Sequence, residues 1–181
     1  MQKAKAYCPD LLLTPVYFVS MQRKLTFPDF LAKFPPVSMP VTIGEDTHHV
    51  FSAENEPLSD AIISQFIHPT EAVVPDDEFT EYVPCFAIDD TEQFIALVWW
   101  KAELLNYEYV LATFNIKGEL IGREVIAYTR IGEGKVHRAV VTINEEYELI
   151  IAEGTSDEND LFDPTTSRTR HIEILATGEI V

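Results

Sequence analysis

From Tyr107 onward the chain alternates branched or aromatic residues with polar ones in short runs separated by turn residues. Residues 107–116 read Tyr-Glu-Tyr-Val-Leu-Ala-Thr-Phe-Asn-Ile, the composition of a half-buried pleated surface. Residues 115–118 carry a hairpin signal, with Gly118 able to take a positive φ. Residues 119–128 return as a strand. Leu120, Ile126 and Tyr128 share one parity and Ile121, Val125 and Ala127 the other, which predicts cover on both faces. The Ile-Gly-Glu-Gly stretch 131–134 predicts a loop. A strand over 136–143, a reversal at 144–146 and a strand over 147–152 follow. A longer polar loop is expected over 154–166, then a strand over 168–176, a turn at 177–178 and a short terminal piece. Such spacing favours an antiparallel meander, because the loops are too short for the crossovers of a parallel sheet.

Upstream the pattern is mixed. Residues 25–34 predict a short helix: Thr26 can cap, Pro28 suits the first turn, and Asp29 suits the positive end of the dipole. Phe30, Leu31 and Phe34 recur at helical spacing, and Pro35-Pro36 ends the run. Residues 37–43 read as extended, with Pro40 placing them at a sheet edge or outside the sheet. A turn at 44–47 leads to a short strand over 48–51. Residues 59–67 predict a second helix, capped by Ser59 and apolar on the face of Ile62, Ile63, Phe66 and Ile67. The acidic, proline-punctuated stretch 71–84 reads as an exposed connector. Residues 94–104 predict a strand carrying Trp99 and Trp100, neighbours that must face opposite sides. Residues 17–19 fit either a strand or an apolar arm. The fold class expected is α+β, one domain over 1–181. It is predominantly an antiparallel meander of about six or seven strands, with short helices over 25–34 and 59–67 in the N-terminal half.

Composition narrows the partners. The 181 residues, 46% of them hydrophobic, suffice for a real core. The net charge of −17 is unevenly spread: residues 34–100 hold thirteen acidic groups and no Lys or Arg. Nucleic-acid backbones and anionic membrane surfaces are disfavoured, since phosphate neutralisation needs a basic patch. No leader pattern and no apolar run of spanning length occur, so the expected compartment is the cytoplasm, with Cys8 and Cys85 as reduced thiols.

Motifs carrying chemistry are sparse. His48-His49, near Glu45 and Asp46, has metal-ligand chemistry, but neighbours on a strand point apart and cannot easily share one ion. The run from Asp157 lacks the Gly at position six and the Glu at position twelve of a calcium loop; Phe162 and Arg168 stand there. The serines lack a nucleophile-elbow context, and Cys85 sits in an apolar run as a small hydrophobe. With seven glycines in the chain, no phosphate loop or dinucleotide fingerprint is present. No catalytic residue, metal or cofactor is assigned.

Phe30-Leu31-Ala32-Lys33-Phe34-Pro35 followed by Met39-Pro40-Val41-Thr42-Ile43 resembles the N-terminal signature of a group of bacterial proteins of unknown function. In that group a strand, a Lys-Gly turn and a returning strand follow, as at 111–121 here. This resemblance implies a fold and no activity. Phe86-Ala87-Ile88-Asp89-Asp90 is similar to a segment of the Smi1/Knr4-like superfamily of bacterial toxin-immunity proteins, where a helical part precedes a meander.

Two functions are expected to compete. The favoured one is a non-enzymatic binding protein that meets a basic protein through its acidic stretch; Asp76, Asp77, Glu78, Asp89, Asp90, Trp99 and Trp100 are the candidate contacts. The alternative is a small-molecule binder or enzyme with a pocket between helices and sheet, using His48, His49, Asp89, His137 or His171. A sheet edge serving as a homodimer surface is a further possibility.

Overall fold

The computed structural model describes residues 24–75, 79–157, 159 and 161–181. Seven long strands form the meander: β3 (Glu81–Ile88), β4 (Phe94–Glu103), β5 (Asn106–Asn115), β6 (Leu120–Gly132), β7 (Lys135–Ile143), β8 (Glu148–Asp157) and β9 (Phe162–Glu173). Each pairs antiparallel with the next. Two short upstream strands, β1 (Pro36–Val37) and β2 (Val41–Ile43), complete a nine-stranded sheet.

The sheet is mixed and larger than the sequence suggests. β1 runs parallel to β3, pairing Pro36 with Ala87 and Val37 with Ile88. Short loops do exclude parallel pairing within the meander. The crossover is instead supplied by the helical segment between β1 and β3, outside the meander. β2 pairs antiparallel with β7 over Val41–Ile43, opposite Val141 to Ile143. It occupies the end of β7 that β6 has left, because β6–β7 pairing runs only from Tyr128–Ala139 to Gly132–Lys135. The sheet thus curls, with the stretch 36–43 reaching from β3 to β7.

Two bulges in β6 explain how it bends. Tyr109 pairs with Ala127 but Val110 with Val125, and Thr113 pairs with Gly122 but Phe114 with Leu120. Each extra residue reverses the facing of those beyond it. Ile126 and Ala127 are therefore both buried in the same cluster, although strict alternation had put them on opposite faces.

Two apolar clusters lie on either side of β3–β5. The inner one gathers Phe86, Val98, Trp100, Leu111, Ile126, Val141, Leu149 and Ile151 inside the curl. The outer one packs Leu97, Trp99, Val110, Ala112 and Phe114 under the helices. There α1 (Phe27–Leu31) supplies Phe30, which stacks on Phe66 at 5.1 Å and meets Phe34 edge-on at 5.0 Å. Its start is the one expected. Thr26 N and Oγ1 both donate to Asp29 Oδ2, at 2.9 and 2.6 Å, and Pro28 stands in the first turn. The second expected helix is α3 (Asp60–Ile62), continued by a π turn over Ile63–Ile67; Ser59 Oγ accepts from Ile62 N at 3.4 Å.

A third short helix, α2 (His48–Glu54), replaces the strand expected over 48–51. A 3₁₀ turn over Glu45–Thr47 feeds it, and His48 and Phe51, one turn apart, land on Trp100 and Phe86. The connector expected over 71–84 is likewise corrected. Glu81 to Pro84 belong to β3, and the Glu71 side chain is only 5% exposed. Its carboxylate accepts from Lys101 Nζ at 3.1 Å and Arg123 Nη2 at 3.0 Å, pinning the helical segment to the sheet.

Turn chemistry also shifts two boundaries. β6 and β7 are joined through Glu133 (φ 53°) and Gly134 (φ 71°), a two-residue turn that lets the strands run through the stretch read as a loop. β8 and β9 extend to Asp157 and from Phe162, so most of the polar loop expected over 154–166 is strand. The hairpin at 115–118 is as expected. Gly118 has φ 83°, and Asn115 Oδ1 accepts from Lys117 N and Glu119 N at 2.9 and 3.0 Å. Among the described residues no helix is long and apolar enough to cross a membrane.

Candidate functional site

Neighbouring strands bring four large aromatic residues to one opening. Trp100 on β4 is the register partner of Tyr109 on β5, and Tyr107 lies two residues along the same face. Tyr128 and Thr129 come from β6, whose pairing puts Thr129 opposite Tyr107. Gly44 and Glu45, after β2, and His48, the first residue of α2, close the other side. Together they line a pocket of about 250 Å³. The Trp100 ring lies within 10° of parallel to His48 at 4.6 Å and within 6° of parallel to Tyr107 at 6.0 Å.

Polar contacts hold these walls in place. Thr47 Oγ1 donates to Gly44 O at 2.7 Å, which uses its single hydrogen. It must therefore accept from Tyr109 Oη, 2.7 Å away. His48 Nδ1 is 2.7 Å from the carbonyl of Glu45; a carbonyl only accepts, so Nδ1 carries a proton and donates it there. Arg138 Nε donates to Glu45 at 2.7 Å, and Tyr128 Oη donates to Glu153 Oε2 at 2.6 Å. Arg130 lies 4.1 Å from the Tyr128 ring centroid and donates to Glu108.

Burial pushes the Tyr109 phenol well above the usual tyrosine range, opposed by the Thr47 bond and aided by the charge of nearby Asp46. Burial first, then the bond to Glu153, raises Tyr128. Cys85, fully buried in the inner cluster, has its thiol pushed up strongly by desolvation and is a packing residue.

Of the residues singled out in the sequence, Trp100 lines this pocket, whereas Trp99 is fully buried under the helices. Asp89 and Asp90 are exposed at the β3–β4 turn, where their backbone carbonyls face the Tyr147 hydroxyl at 3.4 and 3.3 Å. Asp76, Asp77 and Glu78 lie outside the described residues. The polar groups named for a pocket do not converge. His48 is here, while His137 bonds Thr155 at 3.0 Å in a polar cleft with Thr165, Thr166 and Arg168. His171 sits beside Glu148 and Val181. His49, a helix neighbour, meets His48 at a 41° tilt with ring centroids 3.8 Å apart and does not line the pocket. Among the described residues no group of three or more His, Cys, Asp or Glu is arranged to hold a metal ion.

Sequence reasoning missed Tyr107, Tyr109, Tyr128 and Thr129. One signal was legible: Tyr107 and Tyr109 share a parity in a strand that follows Trp100 by a tight turn. Tyr128 was not reachable: its register partner on β5 is Glu108, between Tyr107 and Tyr109, so strand parity does not join it to them.

Comparison with protein-family profiles, curated proteins and solved structures finds no match to this chain. The two resemblances noted in the sequence rest on their quoted residues alone.

Proposed function

We infer that this protein is a binding protein whose ligand site is the aromatic pocket between α2 and the inner face of the curled sheet. The observation carrying this reading is the convergence of Trp100, Tyr107, Tyr109 and Tyr128, from three strands, on one opening beside His48. Sites of this kind are concave and mostly apolar, with a few polar groups that fix orientation. Here the Tyr109 hydroxyl and the Glu45 carboxylate are already held by partners, an arrangement suited to holding a ligand. At about 250 Å³ the pocket suits a small molecule or one side chain. Ligand-observed saturation-transfer NMR tests the reading with phenol, tetramethylammonium and benzoate as probes. Signal from at least one probe, lost in Tyr107→Leu, supports it. No transfer to any probe overturns it.

A second reading, docking of a basic protein on the acidic stretch, keeps one specific observation in its favour. Asp46, Glu54, Asp60, Glu81, Asp89, Asp90 and Glu92 are all exposed. Other acids of that stretch are matched by cations from elsewhere in the chain: Glu45 by Arg138, Glu56 by Lys33, Glu71 by Lys101 and Arg123. The reading predicts a partner recovered at low salt, released at high salt, and lost with Asp89→Asn, Asp90→Asn, Glu92→Gln combined.

A further inference from the structure

We propose that the aromatic pocket takes an alkylammonium group, a compact organic cation with an apolar coat; this rests on the pocket being a ligand site. Three independent features point to that chemistry.

The first is the wall. Aromatic faces carry negative potential and attract a cation lying over them, most strongly where water is excluded. Trp100, Tyr107, Tyr109 and Tyr128 supply four rings around one small space. One of them is already used this way, since the Arg130 guanidinium lies 4.1 Å from the Tyr128 centroid. His48 already stacks on Trp100 at 4.6 Å and Tyr109 is 3% exposed, so the Tyr107 ring is the chief face left to a ligand, with the open remainder of Trp100 beside it.

The second is the charge at the mouth. The lining residues include no Lys or Arg and one carboxylate, Glu45. Arg138 pairs with Glu45 and Arg130 with Glu108, so these two cations are each matched. Asp46, exposed and close enough for its charge to bear on Tyr109, adds a further negative charge. An anion entering here meets repulsion, while a neutral ring gains stacking without the charge contribution. The net charge of −17 draws cations toward the molecule from a distance.

The third is size. About 250 Å³ is below the ~300–1,000 Å³ typical of drug-sized ligands. It leaves room for the head of a quaternary amine, which needs no hydrogen-bond partner.

The same head group has two sources, a free quaternary amine or the methylated lysine of a basic partner. Calorimetric titration of the full chain distinguishes them. The probes are choline, its uncharged isostere 3,3-dimethylbutan-1-ol, and a short peptide carrying trimethyl-lysine. Choline is expected to saturate one site at low salt, with the alcohol about tenfold weaker. Tyr107→Leu is expected to weaken choline about fivefold and Tyr107→Phe to retain it, because the ring face is what binds. Binding of the peptide as tight as choline assigns the group to a partner's side chain; binding of choline alone assigns it to a free amine. Equal affinity for choline and the alcohol overturns the cation proposal and leaves the pocket a ligand site. Binding of neither overturns both.

Discussion

Replacing Glu71 with Gln tests how the helical segment is fixed to the sheet. The wild-type cluster is neutral: Glu71 and Glu103 face Lys101 and Arg123, with Lys101 3.1 Å from both carboxylates. The Lys101 and Glu71 side chains are 6% and 5% exposed, so water screens them little. Glu71→Gln keeps the shape but leaves the cluster with one net positive charge and Lys101 desolvated. Breaking a buried pair costs about 3–5 kcal/mol when one charge is left uncompensated. Lys101 retains Glu103, and the new amide oxygen still accepts one bond, so the expected loss is about 2–3 kcal/mol. The assay is equilibrium urea unfolding, read as a lower midpoint at unchanged m-value. Removing both charges in Glu71→Gln/Lys101→Met leaves Arg123 and Glu103, which are 22% and 28% exposed. The double variant should therefore lose less than the two single losses summed, with a coupling of about 1 kcal/mol or more. A single-variant loss under ~0.5 kcal/mol, as for an exposed pair, would refute the reasoning.

Other consequences are as direct. Phe30→Ala removes a fully buried ring that contacts Phe27, Phe34, Phe66 and Phe114; a loss of about 3–5 kcal/mol is expected in the same unfolding assay. Gly118→Ala should cost more than ~1 kcal/mol. Its φ is 83° and a Cβ there would lie 2.5 Å from Phe27 Cγ. Gly134→Ala, with nothing within 4 Å, should cost less, and equal losses would contradict the packing argument. Tyr109 and Tyr128 both have folded pKa values raised by burial. The folded state then holds protons that the unfolded state releases above about pH 10, so stability is full below that value and falls as pH rises. Thermal unfolding between pH 8 and 11 should show this decline flattened in Tyr109→Phe/Tyr128→Phe (general pH range set by the ordinary tyrosine pKa of about 10); an unchanged slope counts against it.

How much of this was legible in the chain follows the range of the interactions. Turn residues act locally, so Asn115 to Gly118 and Thr177-Gly178 mark their reversals in sequence. Cap and proline signals placed α1 and α3 for the same reason. Features decided by distant partners were hidden. α2 is helical because His48 and Phe51 reach Trp100 and Phe86. Glu71, in a stretch that reads as exposed, is buried because Lys101 and Arg123 wait on the sheet. β1 and β2 read only as an extended, proline-bearing stretch, and their pairing with β3 and β7 depends on the curl. The candidate site shows the same division. Trp100 was named, but its aromatic neighbours required the strand register, and the β6 bulge that brings Ile126 and Ala127 to one side has no sequence mark.

The most direct test of the pocket as a binding site uses the two tryptophans as site and control. Trp100 lines the pocket, and Trp99, its chain neighbour, is fully buried on the opposite face of β4. A two-dimensional ¹H–¹⁵N spectrum, titrated with choline, reports both indole N–H groups at once. The account predicts a saturable shift of the Trp100 indole, with Gly44 and Thr129 amides moving alongside and the Trp99 indole unmoved. A static Trp100 signal, or shifts of equal size at both indoles, would contradict it.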